Sequence, residues 1–432
     1  MVSVIFVMMG GLLFFSEQAV VLVSLYLLGV YFAASGVFLG GFEYAITNLE
    51  VGANSTIMLL LVGVIILSVL AWGVGSHSGE YSGGAIVFAM GLVMVVFFIV
   101  DSWVGFYAAY EGVVFPLIIC VLVWGVYYER VCSCLYLVIY TVLFSTPLLL
   151  FVLWGVGSGH IMWVYWWGLP VLGEWGCFLF IILLAMLVKV PMYGLHSWLP
   201  KVHVEAPTWG SILLAGVVIK LGVYGMHILM SSGVAGSAVC LVGLWSLVGG
   251  VVSGAYCLVV GDTKSLVAYS SVVHMATAIC LLSITSSGVW RGVVLLVIMH
   301  GLVSAAMFGF IGGLGESFKS RSVVLLKGVV SVYTFSGLLL MVILVFNMGF
   351  PISGGMLGEI EAFNSIFKMF EGGWVLVVMY MMIGCVFSLY LGVNLAGLMG
   401  KQSFVLSHKV FSLEVGFLLL SVLYLVGSDV LL

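Results

Sequence analysis

Apolar runs long enough to cross a lipid bilayer follow one another along nearly the whole chain, parted by short polar or glycine-rich breaks. A helix rises 1.5 Å per residue, so about 20 residues cover the ~30 Å hydrocarbon layer. Windows of this kind fall near 1–15, 19–40, 57–76, 84–100, 103–126, 132–156, 175–199, 207–230, 237–259, 264–284, 291–314, 328–371, 373–399 and 409–430. The bilayer admits only helices or closed barrels, and unbroken runs rather than ten-residue alternation select helices. The pattern predicts an all-α polytopic membrane protein of about fourteen transmembrane helices.

Two windows carry helix breakers: the seventh at Pro191, the twelfth around Gly349-Phe350-Pro351 and Gly354-Gly355. Proline removes a backbone donor and clashes with the preceding turn. Broken helices survive at bilayer depth where the freed backbone lines a cavity or packs on protein. Discontinuous elements five helices apart are the mark of an internally repeated transporter. The single transmembrane domain, 1–432, then divides into N-terminal helices 1–3 (1–83), two inverted five-helix repeats, and a C-terminal helix (409–430). The repeats are helices 4–8 (84–230) and helices 9–13 (237–399), with helices 7 and 12 broken.

Composition removes other classes. At 64% hydrophobic and 6% charged residues, a soluble fold is excluded. A net charge of −4 spread over loops leaves no nucleic-acid footprint. The eight cysteines are scattered, Cys132 and Cys134 are too close for zinc-ligand spacing, and no histidine cluster completes a site, so no metal is expected. Val, Gly, Phe, Leu and Trp, with G- and T-rich codons, abound while glutamine occurs only at Gln18 and Gln402, a bias expected of an organelle gene. Of the twelve basic residues, Lys189 and Lys220 fall inside apolar windows, and eight of the other ten lie at ends reached after odd-numbered helices. The positive-inside rule places those loops in the matrix or cytoplasm and both termini on the opposite side.

The charges inside apolar windows carry the chemistry. A lysine at the centre of a membrane helix costs roughly 2.5–3.5 kcal/mol on insertion scales. Lys189 pays this two residues before Pro191, and charge and break together suggest a station for an ion or proton. Lys220 lies thirteen residues beyond Pro207, too deep for its stem to snorkel easily. Glu111 is about eight residues into the fifth helix, roughly 12 Å deep. It is either a protonated carboxyl pinning helices together or the counter-ion of a lysine on another helix. His196, His274 and His300 are open between helix-packing hydrogen bonders and a relay. Glu359 follows the second break and mirrors Lys189 with opposite charge, unless it is a solvated loop carboxylate. Glu205 reads equally as a structural or an uptake residue, and Asp262 and Lys264 flank a helix entrance.

The run His196-Ser-Trp-Leu-Pro-Lys-Val-His-Val-Glu-Ala-Pro207, with Gly210-Ser211 and Lys220-Leu-Gly-Val-Tyr224-Gly225, resembles the antiporter-like subunits of respiratory complex I. Tyr110-Glu111 with Pro116, Asp262-Thr-Lys264 through His274-Met275, His300-Gly301, Ser320-Arg321-Ser322 and Gly358-Glu359 extend the resemblance over roughly residues 100–400. Only hydropathy matches in the first hundred residues, and one proline, Pro351, stands at the second break where many members have two.

The resemblance implies a proton-translocating membrane-arm subunit of NADH:ubiquinone oxidoreductase in the mitochondrial inner membrane. Its partners would be other membrane-arm subunits, including sister antiporter-like ones. NADH, FMN, iron–sulfur clusters and ubiquinone would be held by partner subunits and no cofactor by this chain. It also implies that Glu111 is the counter-ion, Lys189 the broken-helix lysine, Lys220 the central lysine and Glu359 the distal exit residue. His196, His274 and His300 would connect them. Glutamate at 359 sets the chain apart from members with lysine there. The alternatives are a stand-alone cation/proton antiporter of the same ancestry and a non-pumping spacer.

Overall fold

The computed structural model describes residues 55–69 (apart from 56, 60 and 67), 81–100, 102–125, 127–157, 176–231, 237–284, 289–328, 334–349, 353–369 and 372–397. The windows predicted near 1–15, 19–40 and 409–430, the end of the one at 57–76, and Phe350 and Pro351 lie outside the described residues.

Among the described residues the regular structure is helical, with one isolated bridge between Asp262 and Ser322. The first helices are α1 (Tyr81–Ile99), α2 (Trp103–Gly112), α3 (Val114–Trp124), α4 (Arg130–Gly157), α5 (Gly176–Lys189) and α6 (Trp198–Glu205). Next, α7 (Thr208–Leu213) runs through a π turn, Leu214–Val218, into α8 (Ile219–Ser231). The rest are α9 (Ser237–Cys257), α10 (Thr263–Leu282), α11 (Val289–Phe318), α12 (Thr334–Asn347), α13 (Gly354–Met369) and α14 (Gly373–Ala396). Seven spans among the described residues are long and apolar enough to cross a membrane, α2–α3 and α7–α8 each counting as one.

Local chemistry sets the boundaries. Ser102 caps α2 by accepting from the Gly105 amide at 3.3 Å. Pro116 accounts for the joint between α2 and α3, because its ring disfavours a helical carbonyl four residues earlier, at Gly112, the last residue of α2. Lys189 ends α5, since Pro191 brings no amide and pushes Val190 away from helical geometry. Residues 190–197 then turn through Gly194 at φ 97°, a conformation that favours glycine. Ala206, before Pro207, is extended and stops α6 in the same way. Ser353 opens α13 by accepting from the Met356 amide at 3.3 Å.

Element order repeats: α1, α2–α3 and α4, a broken pair α5/α6, then α7–α8; next α9, α10 and α11, a broken pair α12/α13, then α14. Burial sorts the helices into inner and outer. In α7–α8 and α11 94% of the most apolar window is buried and in α10 89%, against 33% in α4 and α14. The outer helices therefore present Leu143, Leu150 and Leu153 of α4 and Met382, Leu389 and Val393 of α14 outward, as helices facing lipid or a neighbour do. Lys220, His274 and His300 sit on the three inner spans. Their burial cannot be relieved by water or headgroups, so neighbouring protein groups must satisfy them.

Candidate functional site

Glu111 is the penultimate residue of α2, and Lys189, which closes α5, reaches the glutamate's neighbour Tyr110. The Lys189 ammonium donates to the Tyr110 backbone carbonyl and lies 3.3 Å from the centroid of the Tyr110 ring. The ring is held in turn by its hydroxyl, which donates to the Ala185 carbonyl at 2.9 Å. Lys189 is 2% exposed, and Glu111 Oε1 is buried without a hydrogen-bond partner. The lysine thus holds the residue next to the glutamate rather than its carboxylate. Trp198, beyond the break, donates its indole N–H to the Val188 carbonyl at 3.0 Å, satisfying a group freed where α5 ends.

Lys220 begins a second, longer cluster. It is wholly buried, and its ammonium donates to the Ala215 carbonyl, inside the π turn. A π turn displaces the helical ladder and leaves a carbonyl free to accept from a side chain. The same ammonium lies 2.9 Å from His300 Nδ1 on α11, leaving the third donor of the amine for another partner. The rings of His300 and His274 have centroids 5.5 Å apart. His274 Nδ1 lies 3.6 Å from Glu359 Oε1, the one ion pair within 4.0 Å among the described residues. Tyr380 of α14 braces that pair, its hydroxyl 3.3 Å from His274 Nδ1 and 3.5 Å from Glu359 Oε1.

A cavity of about 30 Å³ lies beside this cluster, lined by His274, His300, Asn347 and Glu359 among apolar neighbours. That is space for about one water with polar partners on several sides. His274 Nε2, Glu359 Oε2 and Asn347 Nδ2 are buried without hydrogen-bond partners. The second break touches the cluster directly: Gly349, at φ 73°, has Glu359 Oε2 2.7 Å from where a Cβ would sit. Glu359 is 4% exposed, so it is not a solvated loop carboxylate.

The two clusters approach through packing. A Cβ on Gly222 of α8 would stand 2.6 Å from Val190 Cγ2 and 3.1 Å from Lys189 Cβ. Among the described residues no side-chain hydrogen bond joins Lys189 to Lys220. His196 lies apart from both: its Nδ1 accepts from the Gly194 amide at 3.2 Å, and its ring stacks on Tyr193 with Tyr269 edge-on.

A third polar group gathers where α6 ends. Lys264 donates to the Ala206 carbonyl at 3.0 Å and Arg321 to the Val204 carbonyl at 3.0 Å, capping the end of the short helix. Lys264, at the entrance of α10, is therefore also a buried cap for α6. Glu205 is buried beside them; burial pushes its carboxyl up, and Arg321 and Lys264 pull it back. His203 is completely buried, stacks on Phe308 with centroids 4.3 Å apart, and leaves both ring nitrogens unpartnered. Burial, aided by the positive charges of Lys264 and Lys220, pushes its imidazole down to about 3.

The structure thus brings Lys220, His300, His274 and Glu359 into one contact chain, sets Glu111 and Lys189 around Tyr110, and leaves His196 aside. Sequence reasoning missed Tyr380, which shares its helix with a second tyrosine, Tyr390, and so does not stand out, and Asn347, the last residue of α12. No three His, Cys, Asp or Glu side chains among the described residues converge to hold a metal ion. Chains of groups that both accept and donate protons, screened from lipid, are suited to moving a proton rather than to bond-making chemistry.

Residues 100–388 match the family described as NADH:quinone oxidoreductase/Mrp antiporter, TM. The chain is similar to NADH-ubiquinone oxidoreductase chain 4 of Mytilus edulis, 35% identical over a match covering 87% of this chain and 86% of the relative. It is 29% identical to the protein of the same name from Rhipicephalus sanguineus, over 84% of this chain and 83% of that one. In fold it resembles a chain of respiratory complex I from Thermus thermophilus with bound NADH. The TM-score is 0.80 at 17% identity, covering 98% of this chain and 94% of that chain.

Proposed function

The chain belongs to the NADH:quinone oxidoreductase/Mrp antiporter family, and from that premise we propose a route by which protons pass through it. It is a proton-translocating subunit of NADH:ubiquinone oxidoreductase, a multi-pass membrane protein that assembles with other membrane-arm antiporter-like subunits. Hydride and electron chemistry belong to partner subunits, which would hold NADH, FMN, iron–sulfur clusters and ubiquinone. The membrane is the inner mitochondrial one, with both termini on the intermembrane-space side. The chain carries fourteen helices, and its two five-helix units are inverted repeats; the recurring element order supports that reading.

The route begins at Glu111 and Lys189 and continues through Lys220, His300 and His274 to Glu359. One observation carries it: Lys220, His300 and His274, on the three inner spans, and Glu359, buried on α13, follow one another in contact. A neutral His300 takes a proton from Lys220 on Nδ1 and releases one from its other nitrogen toward His274. His274, with Nε2 free, takes it there and gives up the Nδ1 proton to Glu359, directly or through Tyr380. The cavity beside them has room for about one water to shorten the step between the rings. At the other end, Glu111 acts as a switch. Drawn up to Lys189 it holds the proton on the amine; withdrawn, it sends the proton toward Lys220. His196 lies off this line and serves as a neighbour of the break.

Lys189→Met in the assembled complex tests the route. NADH oxidation by an artificial acceptor stays near normal while quinone-linked pumping falls. Unimpaired pumping removes Lys189 from the relay. Glu111→Gln behaves likewise, whereas a glutamate needed only for packing shows lost assembly instead.

A further inference from the structure

Among the buried titratable side chains that the route leaves unused, His203 lies on α6, close to Glu205 in sequence. His203 is completely buried, and neither ring nitrogen has a hydrogen-bond partner. A buried imidazole with two idle nitrogens is costly for packing alone, because an apolar ring would stack on Phe308 without that penalty. It lies close enough to both Lys264 and Lys220 to feel their charges.

Two helices carry polar groups from Lys220 toward it. On α7, Ser211 lies one turn before Ala215, the residue whose carbonyl holds the Lys220 ammonium. On α11, His300, Ser304 and Phe308 follow at four-residue steps on one stripe, and Phe308 is the ring against which His203 stacks. The helices touch at both ends of this stretch. A Cβ on Gly301 would stand 3.1 Å from the Gly216 carbonyl, and one on Gly312 3.0 Å from Thr208 Cβ. Ser211 and Ser304, both buried, lie along the segments between those contacts. Beyond His203, Glu205 Oε2 is buried and unpartnered, and Lys264 interacts electrostatically with Glu316, which is exposed.

We propose that His203 is a proton carrier on a separate limb that feeds Lys220 from the end of α6, where Glu205, Lys264 and Arg321 gather. This rests on the relay proposed above and deepens it, supplying Lys220 with an uptake path that does not pass through Lys189. His203 takes a proton on one ring nitrogen from the Glu205–Lys264 side. It releases the proton on its other nitrogen along the Ser211 and Ser304 hydroxyls to Lys220, and returns to the neutral ring.

The test compares His203→Phe with Lys220→Met in assembled complex reconstituted into vesicles, reading protons pumped per NADH oxidised. Phenylalanine keeps the stack on Phe308 and removes only the proton-carrying nitrogens. The expected result is that His203→Phe lowers the proton yield by part of what Lys220→Met removes, because the feed through Lys189 remains, and that the double variant falls no further than Lys220→Met alone. A full yield from His203→Phe beside a lowered yield from Lys220→Met overturns the limb and spares the relay. A full yield from Lys220→Met overturns the relay itself, and the limb with it. Should His203→Phe prevent assembly, His203→Gln, which keeps polar capacity without titrating, takes its place. A full yield from that variant overturns the proposal, and a partial loss that does not add to that of Lys220→Met supports it.

Discussion

Tyr380→Phe isolates a single oxygen. The hydroxyl stands 3.3 Å from His274 Nδ1 and 3.5 Å from Glu359 Oε1, and the ring beneath it is buried against Phe363. Phenylalanine keeps that ring contact, so the change is confined to the brace. A side-chain hydrogen bond contributes about 0.5–1.5 kcal/mol net, and contacts of 3.3–3.5 Å stay within that range. About 1.4 kcal/mol corresponds to a factor of ten in rate. The step between His274 and Glu359 therefore slows by up to about tenfold. The two groups remain 3.6 Å apart and still exchange directly, so passage is slowed rather than abolished. The assay is coupled NADH:quinone turnover and proton yield in vesicles, with oxidation by an artificial acceptor reporting intact partner subunits. Quinone-linked turnover falls by up to about tenfold while the artificial-acceptor rate holds. Unchanged turnover and yield would falsify the assignment of Tyr380 as a brace of the relay.

Four other changes probe the structure behind the site. Gly222→Ala drives a methyl to 2.6 Å from Val190 Cγ2 and 3.1 Å from Lys189 Cβ, an overpacking that costs about 1–3 kcal/mol. A lower melting temperature together with a reduced proton yield is expected, and a wild-type yield would separate Lys189's position from its role. Gly349→Ala sets a side chain at φ 73° and 2.7 Å from Glu359 Oε2. Its left-handed backbone alone costs about 1–2 kcal/mol, and loss of both stability and yield is expected from thermal melts and pumping assays. Trp198→Phe strips the donor from the Val188 carbonyl beside Lys189, costing about 1–3 kcal/mol. It should lower thermal stability more than Ser353→Ala, which removes an N-cap worth about 1 kcal/mol.

What the sequence disclosed is what local physics decides. Pro191 ends α5 by chemistry confined to a few neighbouring residues, so the break was readable and so was the lysine beside it. Pro116 announced the bend that appears as the α2–α3 joint. Long apolar windows announced helices because crossing lipid demands them. Partnerships between distant residues were not readable. Tyr380 meets His274 across 106 positions, and nothing in its apolar surroundings marks it. The π turn at Leu214–Val218 has no composition cue, yet it supplies the carbonyl that holds Lys220. Lys189 turned out to grip the Tyr110 carbonyl rather than the Glu111 carboxylate. Lys264 stands at a helix entrance as its sequence position suggested, but its donation to the last carbonyls of α6 was not readable. His196 shares a motif with the proton stations, but the turn at Gly194 aims it at Tyr193 and Tyr269.

Joined conduction through Lys220 and Glu359 is measured most directly by a double-variant comparison in reconstituted, assembled complex. Protons pumped per NADH are counted for Lys220→Met, for Glu359→Gln and for the two together. If both residues stand on one path, each single change removes this subunit's share and the pair removes no more. Losses that add, or a yield unchanged in either single variant, would contradict a shared path.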